Sequence, residues 1–244
     1  MATIGPHTAE HYLGWLARRL LHFDRPYLIT GPQAAYQYHR WLTPLENLVT
    51  LQVYAEDLPT WRQIGGEGRR MFETPPTVAQ VQAAGEAIVL DPTLDSGRYR
   101  RRHVIDGLAF VAPEELCLDL LERARGETSP AEAAAIIVTW RDSLAWDLLL
   151  AQAERRGLAR RLGAFLEAIN TEMEADLVPL EIIAELRRRV DTAHIPSETT
   201  GYPAGRHRSV PPSYRPIAER WGVHLTLPRH VISKVLLDLQ PQRG

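Results

Sequence analysis

The stretch Tyr27-Leu-Ile-Thr-Gly-Pro-Gln-Ala-Ala35, followed by Leu48-Val-Thr-Leu-Gln-Val-Tyr54, decides which fold this chain can adopt. Tyr27–Ile29 has the composition of a short buried strand, and Thr30-Gly-Pro32 has that of a tight turn. Proline is favoured at the first position of a helix, so we expect a helix over Gln33–Trp41. The alternating, β-rich segment that follows predicts a second strand. The segment as a whole predicts the order strand, turn, helix, strand.

The rest of the first 112 residues adds short strands and one hairpin. We expect strands at Arg69–Phe72 and Ala87–Leu90. The clearest local signal is Asp106-Gly107, which separates the runs Arg101–Ile105 and Leu108–Val111. Asp-Gly is favoured where both central residues of a turn need positive φ, so it predicts a type I′ hairpin.

After the hairpin the hydrophobic period changes from two to 3.6, which indicates helices. Five helices are expected, at Glu114–Arg125, Pro130–Asp142, Ala145–Arg156, Leu158–Asn170 and Pro179–Val190. A segment rich in proline and glycine then leads to two short helical candidates, Ile217–Trp221 and Pro228–Leu239.

These patterns predict an α+β fold, with a small mixed sheet and helices in the N-terminal half and a helical bundle in the C-terminal half. We expect three parts. Residues 1–112 form a mixed α/β part, and residues 113–190 form a helical part. Residues 191–244 form a proline-rich linker and a basic C-terminal helix pair.

The composition of the chain excludes several classes of protein. The chain has 244 residues, a formal net charge of −2 and 45% hydrophobic residues, which is ordinary globular composition. Its longest apolar runs are far shorter than the roughly 20 residues that span a bilayer, so we expect no membrane partner. No basic segment followed by an apolar one opens the sequence, which predicts a cytoplasmic protein without a signal peptide. The single Cys117 lies in an apolar helical run, where we expect it to be buried.

The strand-turn-helix-strand order resembles nucleotidyltransferase-like folds. In that family a Gly-Ser turn holds nucleotide phosphates, and a pair of acids on the next strand holds magnesium. Here the turn is Gly31-Pro32, the strand offers Leu51-Gln-Val53, and the nearest carboxylates are the adjacent Glu56 and Asp57. Neighbouring residues of an extended strand point in different directions, so these two acids would not share one ion. We therefore predict no catalytic residue, no metal site and no cofactor.

Four segments carry a wider resemblance: Tyr27–Tyr36, Val49–Val53, His103–Leu121 and Trp146–Glu167. In this order they resemble the C-terminal domain of AbiEi-type antitoxins, from type IV abortive-infection toxin–antitoxin systems. The resemblance implies a nucleotidyltransferase-like core that lacks the catalytic acids, and a non-enzymatic role in binding a partner protein, a toxin. Such antitoxins carry a winged-helix DNA-binding domain ahead of this part. Only 25 residues precede Pro26, so we do not expect DNA binding at the N-terminus.

The arginines indicate a candidate nucleic-acid interface in the C-terminal part. Between Arg187 and His230, eight arginines and three acidic residues give a local net charge of +5. Ile217–Val223 and the helical candidate after it resemble a helix-turn-helix, although a helix pair packed on the main body would give the same pattern. The candidate contacts to DNA or RNA in this region are Arg206, Arg208, Arg229, His230 and Lys234.

A second basic cluster, Arg98-Tyr-Arg-Arg-Arg102, lies just before the hairpin. Arg100, Arg101 and Arg102 are candidate nucleic-acid contacts, because guanidinium groups stack on bases. The alternative is an exposed edge strand that its charges protect from pairing with other chains.

The sequence thus favours a non-catalytic, antitoxin-like protein of a prokaryotic defence or toxin–antitoxin system. It would bind a partner protein, with DNA or RNA contacts through the basic tail as a further expectation. Two alternatives stay open. One is a divergent metal-dependent nucleotidyltransferase, and the other is a nucleic-acid-binding subunit of a defence complex.

Overall fold

The computed structural model describes residues 14, 16–18, 20, 23–39, 48–64, 70–74, 80, 87–122, 128–174, 176–190 and 214–223. They combine helices with a mixed six-stranded sheet, which confirms the predicted α+β class. The chain divides into two compact units, Met1–Ala112 and Pro113–Gly244.

The first unit is built on a sheet. Its strands are β1 (Tyr27–Thr30), β2 (Leu48–Val53), β3 (Arg70–Phe72), β4 (Ala87–Asp91), β5 (His103–Ile105) and β6 (Leu108–Phe110). Their order across the sheet is β3-β4-β2-β1-β6-β5. β1 runs antiparallel to β2, whereas β2 is parallel to β4 and β1 is parallel to β6. Consecutive residues of β4, from Ala87 to Leu90, are buried, so both faces of the sheet are covered along this strand.

Short helices lie between these strands. α1 (Pro32–His39) connects β1 to β2 and begins at the proline, as its fixed φ favours. α2 (Leu58–Trp61) lies between two 3₁₀ turns, Ala55–Asp57 and Arg62–Ile64, and α3 (Ser96–Arg100) precedes the hairpin.

The basic cluster before the hairpin is helical, so its interpretation as an edge strand is wrong. Asp95 caps α3, because its carboxylate accepts a hydrogen bond from the backbone N–H of Arg98 at 2.8 Å. Arg101 and Arg102 follow the helix, and the strand predicted from Arg101 begins only at His103. A local side-chain cap thus outweighs the strand pattern of the following residues.

The hairpin itself is confirmed. Asp106 and Gly107 both have positive φ, 51° and 79°, as a type I′ turn requires. The turn pairs β5 with β6 in antiparallel register, with Ile105 opposite Leu108.

The second unit is helical. Its helices are α4 (Pro113–Glu122), α5 (Thr128–Trp140), α6 (Trp146–Arg155), α7 (Ala159–Met173), α8 (Leu180–Arg189) and α9 (Arg215–Trp221). Each begins and ends within a few residues of a predicted helix, whereas the candidate at Pro228–Leu239 lies outside the described residues. α9 packs on α7 inside this unit, so residues 214–223 do not stand apart as a C-terminal appendage.

Candidate functional site

The turn between β1 and α1 is the first place to look for a functional site. Gly31 has φ of 72°, a left-handed conformation that favours glycine. The register pairs Thr30 with Thr50, and the Thr50 side chain lies 3.7 Å from where a Cβ on Gly31 would be. The turn therefore lies beside the first half of β2. Pro32 supplies neither a hydroxyl nor a backbone N–H at the start of the helix.

The halves of β2 and β4 that lie nearest this turn carry no carboxylate. In β2 the residues nearest the turn are Leu48, Val49 and Thr50. Their partners on the parallel strand β4 are Ala87, Ile88 and Val89, and Val49 and Ile88 are fully buried. A hard divalent cation needs oxygen ligands, chiefly carboxylates, and these six residues offer only the Thr50 side-chain hydroxyl.

Gln52 lies further along β2, in a polar cluster at the carboxyl ends of the two parallel strands. It is 1% exposed, and its amide Nε2 donates to Asp91 Oδ2 at 3.4 Å and to Thr93 Oγ1 at 3.2 Å. Its flanking residues, Leu51 and Val53, are fully buried. These hydrogen bonds satisfy the amide N–H group of Gln52, whereas its buried Oε1 has no hydrogen-bond partner.

The adjacent acids named from the sequence lie in the 3₁₀ turn after β2. Asp57 forms an ion pair with Arg25, with 3.3 Å between the carboxylate and the guanidinium, and Glu56 is exposed. Neither belongs to a strand. Across the described residues, no group of three or more histidine, cysteine, aspartate or glutamate side chains is placed to hold a metal ion.

Cys117 and His39 are buried titratable groups that belong to the packing of their units. Cys117 is fully buried as predicted, its thiol lies 3.9 Å from the Ala133 carbonyl, and burial raises its pKa. A thiol of this kind is protonated and a poor nucleophile. His39, at the end of α1, is 4% exposed, and burial lowers its pKa to about 4. It is therefore neutral at physiological pH.

Arg102, the last residue of the basic cluster, is engaged within its own chain. The guanidinium carbon of Arg102 lies 4.2 Å from the centre of the Tyr99 ring, and its NH1 donates to the Tyr99 carbonyl at 3.1 Å. Arg100 and Arg101 sit at the end of the helix beside it. The prediction that these three arginines contact nucleic acid stays a prediction.

Several arginines of the supposed basic tail are paired within the helical unit. Arg187 and Arg220 both donate to the carboxylate of Glu167 on α7. Arg188 and Arg189 both pair with Glu185 on α8. Glu167 and Glu185 precede Arg187, so the charge count from Arg187 to His230 omitted both of these acidic partners. The tail residues Arg206, Arg208, Arg229, His230 and Lys234 lie outside the described residues.

Glu167 is the centre of a cluster that the sequence did not indicate. Trp221 Nε1 donates to its Oε2 at 2.7 Å, and the Arg187 guanidinium lies 5.7 Å from the Trp221 ring centre. Burial raises the pKa of Glu167, but the hydrogen bonds from Trp221, Arg187 and Arg220 outweigh burial and lower it overall. The Trp221 ring packs directly against Gly163, where a methyl group would overlap it. The cluster holds α9 on α7.

The helical unit also buries glutamates that the sequence analysis did not single out. Glu114 Oε1 accepts a hydrogen bond from the backbone N–H of Ala145 at 2.7 Å, just before α6. Glu115 is buried beside it, and Glu132 on α5 is 7% exposed. Burial raises the pKa of Glu132 to about 7. In the sequence, Glu114 and Glu115 look like ordinary acids in the first turn of a helix.

No protein-family model, curated protein or solved structure matches this chain. None of the helices that the structure describes is both long and apolar enough to cross a bilayer.

Proposed function

We propose that this chain is a non-catalytic, antitoxin-like protein that binds and neutralises a partner protein in a prokaryotic defence or toxin–antitoxin system. The observation that carries the proposal is the apolar surrounding of the Gly31-Pro32 turn. Where a nucleotidyltransferase would hold its metal-binding acids, β2 and β4 present Leu48, Val49 and Ile88.

Phosphoryl transfer depends on positioning and on charge neutralisation, most of which divalent metal ions supply. Val49 and Ile88 are desolvated aliphatic side chains that cannot coordinate an ion. The turn lacks the serine hydroxyl that the resemblance leads one to expect. Residues packed in this way favour a sheet that serves as a scaffold for binding.

The resemblance to AbiEi-type antitoxins supplies the class of partner. Its segments fall on β1, α1 and β2, on the β5–β6 hairpin with α4, and on α6 with α7. They therefore span both units, which favours a role for the whole α+β arrangement in holding the partner.

A growth assay tests the proposal. The chain and the protein encoded beside its gene are expressed separately and together in a bacterial host. We expect the neighbour to slow growth when alone, the chain to have no effect when alone, and growth to recover when both are present. The two proteins should also co-purify. Val49→Asp, which places a charge in the sheet core, serves as a misfolded control and should not restore growth.

The alternative of a divergent nucleotidyltransferase is tested on the purified chain. It is incubated with labelled nucleoside triphosphates, magnesium and either RNA or the co-purified partner. We expect no label to be incorporated. Metal-dependent incorporation that Asp91→Asn abolishes would contradict the non-catalytic proposal and identify an acid that the enzyme uses.

A further inference from the structure

The first unit contains a cavity of about 300 Å³ that the proposed function does not use. It lies between the helical residues before position 23, the start of β1, α3 and the β5–β6 turn. This volume is at the lower end of the range for small-ligand sites and suits one side chain or a small molecule.

Three aromatic rings, Phe23, Tyr27 and Tyr99, form part of the cavity wall. The rings of Phe23 and Tyr27 pack on the fully buried Trp61, with ring centres 5.1 and 5.8 Å away. The Tyr27 hydroxyl accepts a hydrogen bond from the backbone N–H of Ala109 at 3.4 Å. Both rings are thereby held in place before any ligand arrives, which reduces the entropy lost on binding.

The charged side chains that line the cavity differ in whether they already have an ion-pair partner. Arg25 is already paired with Asp57 at 3.3 Å. Asp24 and Asp106 are exposed and have no ion-pair partner among the described residues. The type I′ turn fixes the backbone of Asp106, which lines the cavity. Among the residues that line the cavity, the carboxylates of Asp24 and Asp106 are therefore the charges without an ion-pair partner.

One of the rings already binds a guanidinium group. Arg102 stacks on Tyr99 at 4.2 Å, a distance typical of a cation–π contact. Electron-rich ring faces beside unpaired carboxylates are the chemistry by which proteins bind organic cations.

We propose that this cavity is a binding site for an organic cation, a guanidinium or alkylammonium group, with Asp24 and Asp106 as its counter-charges. Nucleic acid is disfavoured here, because its phosphates would face two carboxylates without partners. The proposal does not depend on the identity of the partner protein.

The test is an NMR titration of the full chain at low ionic strength with N-acetyl-arginine amide. Its matched control is N-acetyl-citrulline amide, which has the same shape without the charge. We expect saturable shifts of the Tyr99, Asp106 and Gly107 amides with the arginine compound, and at least tenfold weaker binding of the citrulline compound. Equal binding of both compounds, or no saturable shift with either, would overturn the proposal.

Variants test the residues. Asp24→Asn combined with Asp106→Asn removes both charges while keeping a turn sequence that the type I′ geometry favours. We expect this variant to bind the arginine compound at least fivefold more weakly, whereas Asp142→Asn, an exposed acid of the other unit, leaves binding unchanged. Tyr99→Phe keeps the ring face and should bind normally, while Tyr99→Leu should bind at least threefold more weakly. If the double Asn variant is folded, as judged from its NMR spectrum, and binds the arginine compound with unchanged affinity, the proposal is wrong.

Two further probes separate the sources of the cation. Tighter binding of an arginine-containing peptide than of spermidine indicates a side chain of a partner protein. Tighter binding of spermidine indicates a free polyamine, and both results support the site. A short oligonucleotide that shifts the same amides, where neither cation does, would show a nucleic-acid site and overturn the proposal.

Discussion

The sheet unit and the helical unit bury different kinds of polar groups. The buried polar residues of the first unit, Thr30, Gln33, His39 and Gln52, are uncharged at neutral pH or kept neutral by burial. Those of the second unit include the carboxyl groups of Glu114, Glu115 and Glu132. The first unit thus buries no acid among its described residues, while in the helical unit Glu114 and Glu167 accept hydrogen bonds from the backbone and from side chains.

Charged side chains contribute to the structure of the helical unit more than to that of the sheet unit. In the helical unit Glu114 accepts a hydrogen bond from the chain ahead of α6, and Glu167 accepts from three side chains. Charge-assisted hydrogen bonds of this kind are stronger than neutral ones. In the sheet unit the strands pack mainly through apolar side chains, and some buried polar atoms, Gln52 Oε1 and Trp61 Nε1 among them, have no hydrogen-bond partner.

The largest predicted loss of stability should come from Gly163→Ala in the helical unit. Alanine normally stabilises a helix relative to glycine, but here its methyl group would displace the Trp221 ring. Losing the packing of a buried tryptophan costs about 3–5 kcal/mol, so we expect a destabilisation of that order in urea unfolding. In the Trp221→Ala background the same substitution should be neutral or stabilise by about 0.5–1 kcal/mol. Stabilisation in the parent chain would contradict the packing of α9 on α7.

The second prediction concerns Glu132. Its folded pKa of about 7 lies above the unfolded value of 4.5, because burial disfavours the charged form. The folded state therefore holds the proton longer, and the stability of the helical unit should fall as pH rises from about 4.5 to 7. Glu132→Gln should remove this loss and stabilise the unit by up to about 3 kcal/mol at pH 8, with little effect at pH 4. Urea unfolding followed by NMR signals of α4 and α5 measures this change in stability. An equal effect of the substitution at pH 4 and pH 8 would contradict the assignment of the pH dependence to Glu132.

The stability of the sheet unit should depend on pH to a similar extent but in the opposite direction, because of His39. Its folded pKa of about 4 lies below the unfolded value of 6.5, because burial disfavours the imidazolium. The unfolded state then binds the proton first, so stability should fall as pH drops from 6.5 to 4, by up to about 3 kcal/mol. His39→Gln should flatten this slope, read from signals of β2 and β4. A slope that persists in the variant would assign the pH dependence to other groups.

The smallest of these effects is expected at the turn. Gly31→Ala forces a Cβ into a left-handed conformation and should cost about 1–2 kcal/mol in urea unfolding, although the Cβ would make only ordinary van der Waals contact with Thr50. Gly31→Asn should cost less, since asparagine visits this conformation more readily. Equal costs for the two variants would show that the loss comes from contact with Thr50 and not from backbone strain.

Much of the local structure could be predicted from short patterns. Asp106-Gly107 predicted a type I′ turn because few other residue pairs tolerate positive φ at both positions. Helix periodicity placed α4 to α9, and the apolar run around Cys117 predicted its burial. Each of these signals lies within a few residues and does not depend on distant parts of the chain.

The candidate site was less predictable. The missing acids of β2 can be read directly from Leu48–Val53, but the pairing of Arg187 and Arg220 with Glu167 cannot, because the partners are 20 and 53 residues apart. A count of charge along the chain included these arginines in a basic stretch without their acidic partner. The cavity beside Tyr99 likewise combines residues from opposite ends of the first unit.

The sequence by itself determined the α+β class, the type I′ hairpin, the helical second half and the absence of acids from β2, because each depends on residue type and short-range periodicity. Only the tertiary structure decided the strand order, the pairing of Arg187 and Arg220, and the cavity with Asp24 and Asp106 at its rim. The physical reason is that ion pairs, ring packing and cavities depend on distances in space between residues far apart in the chain.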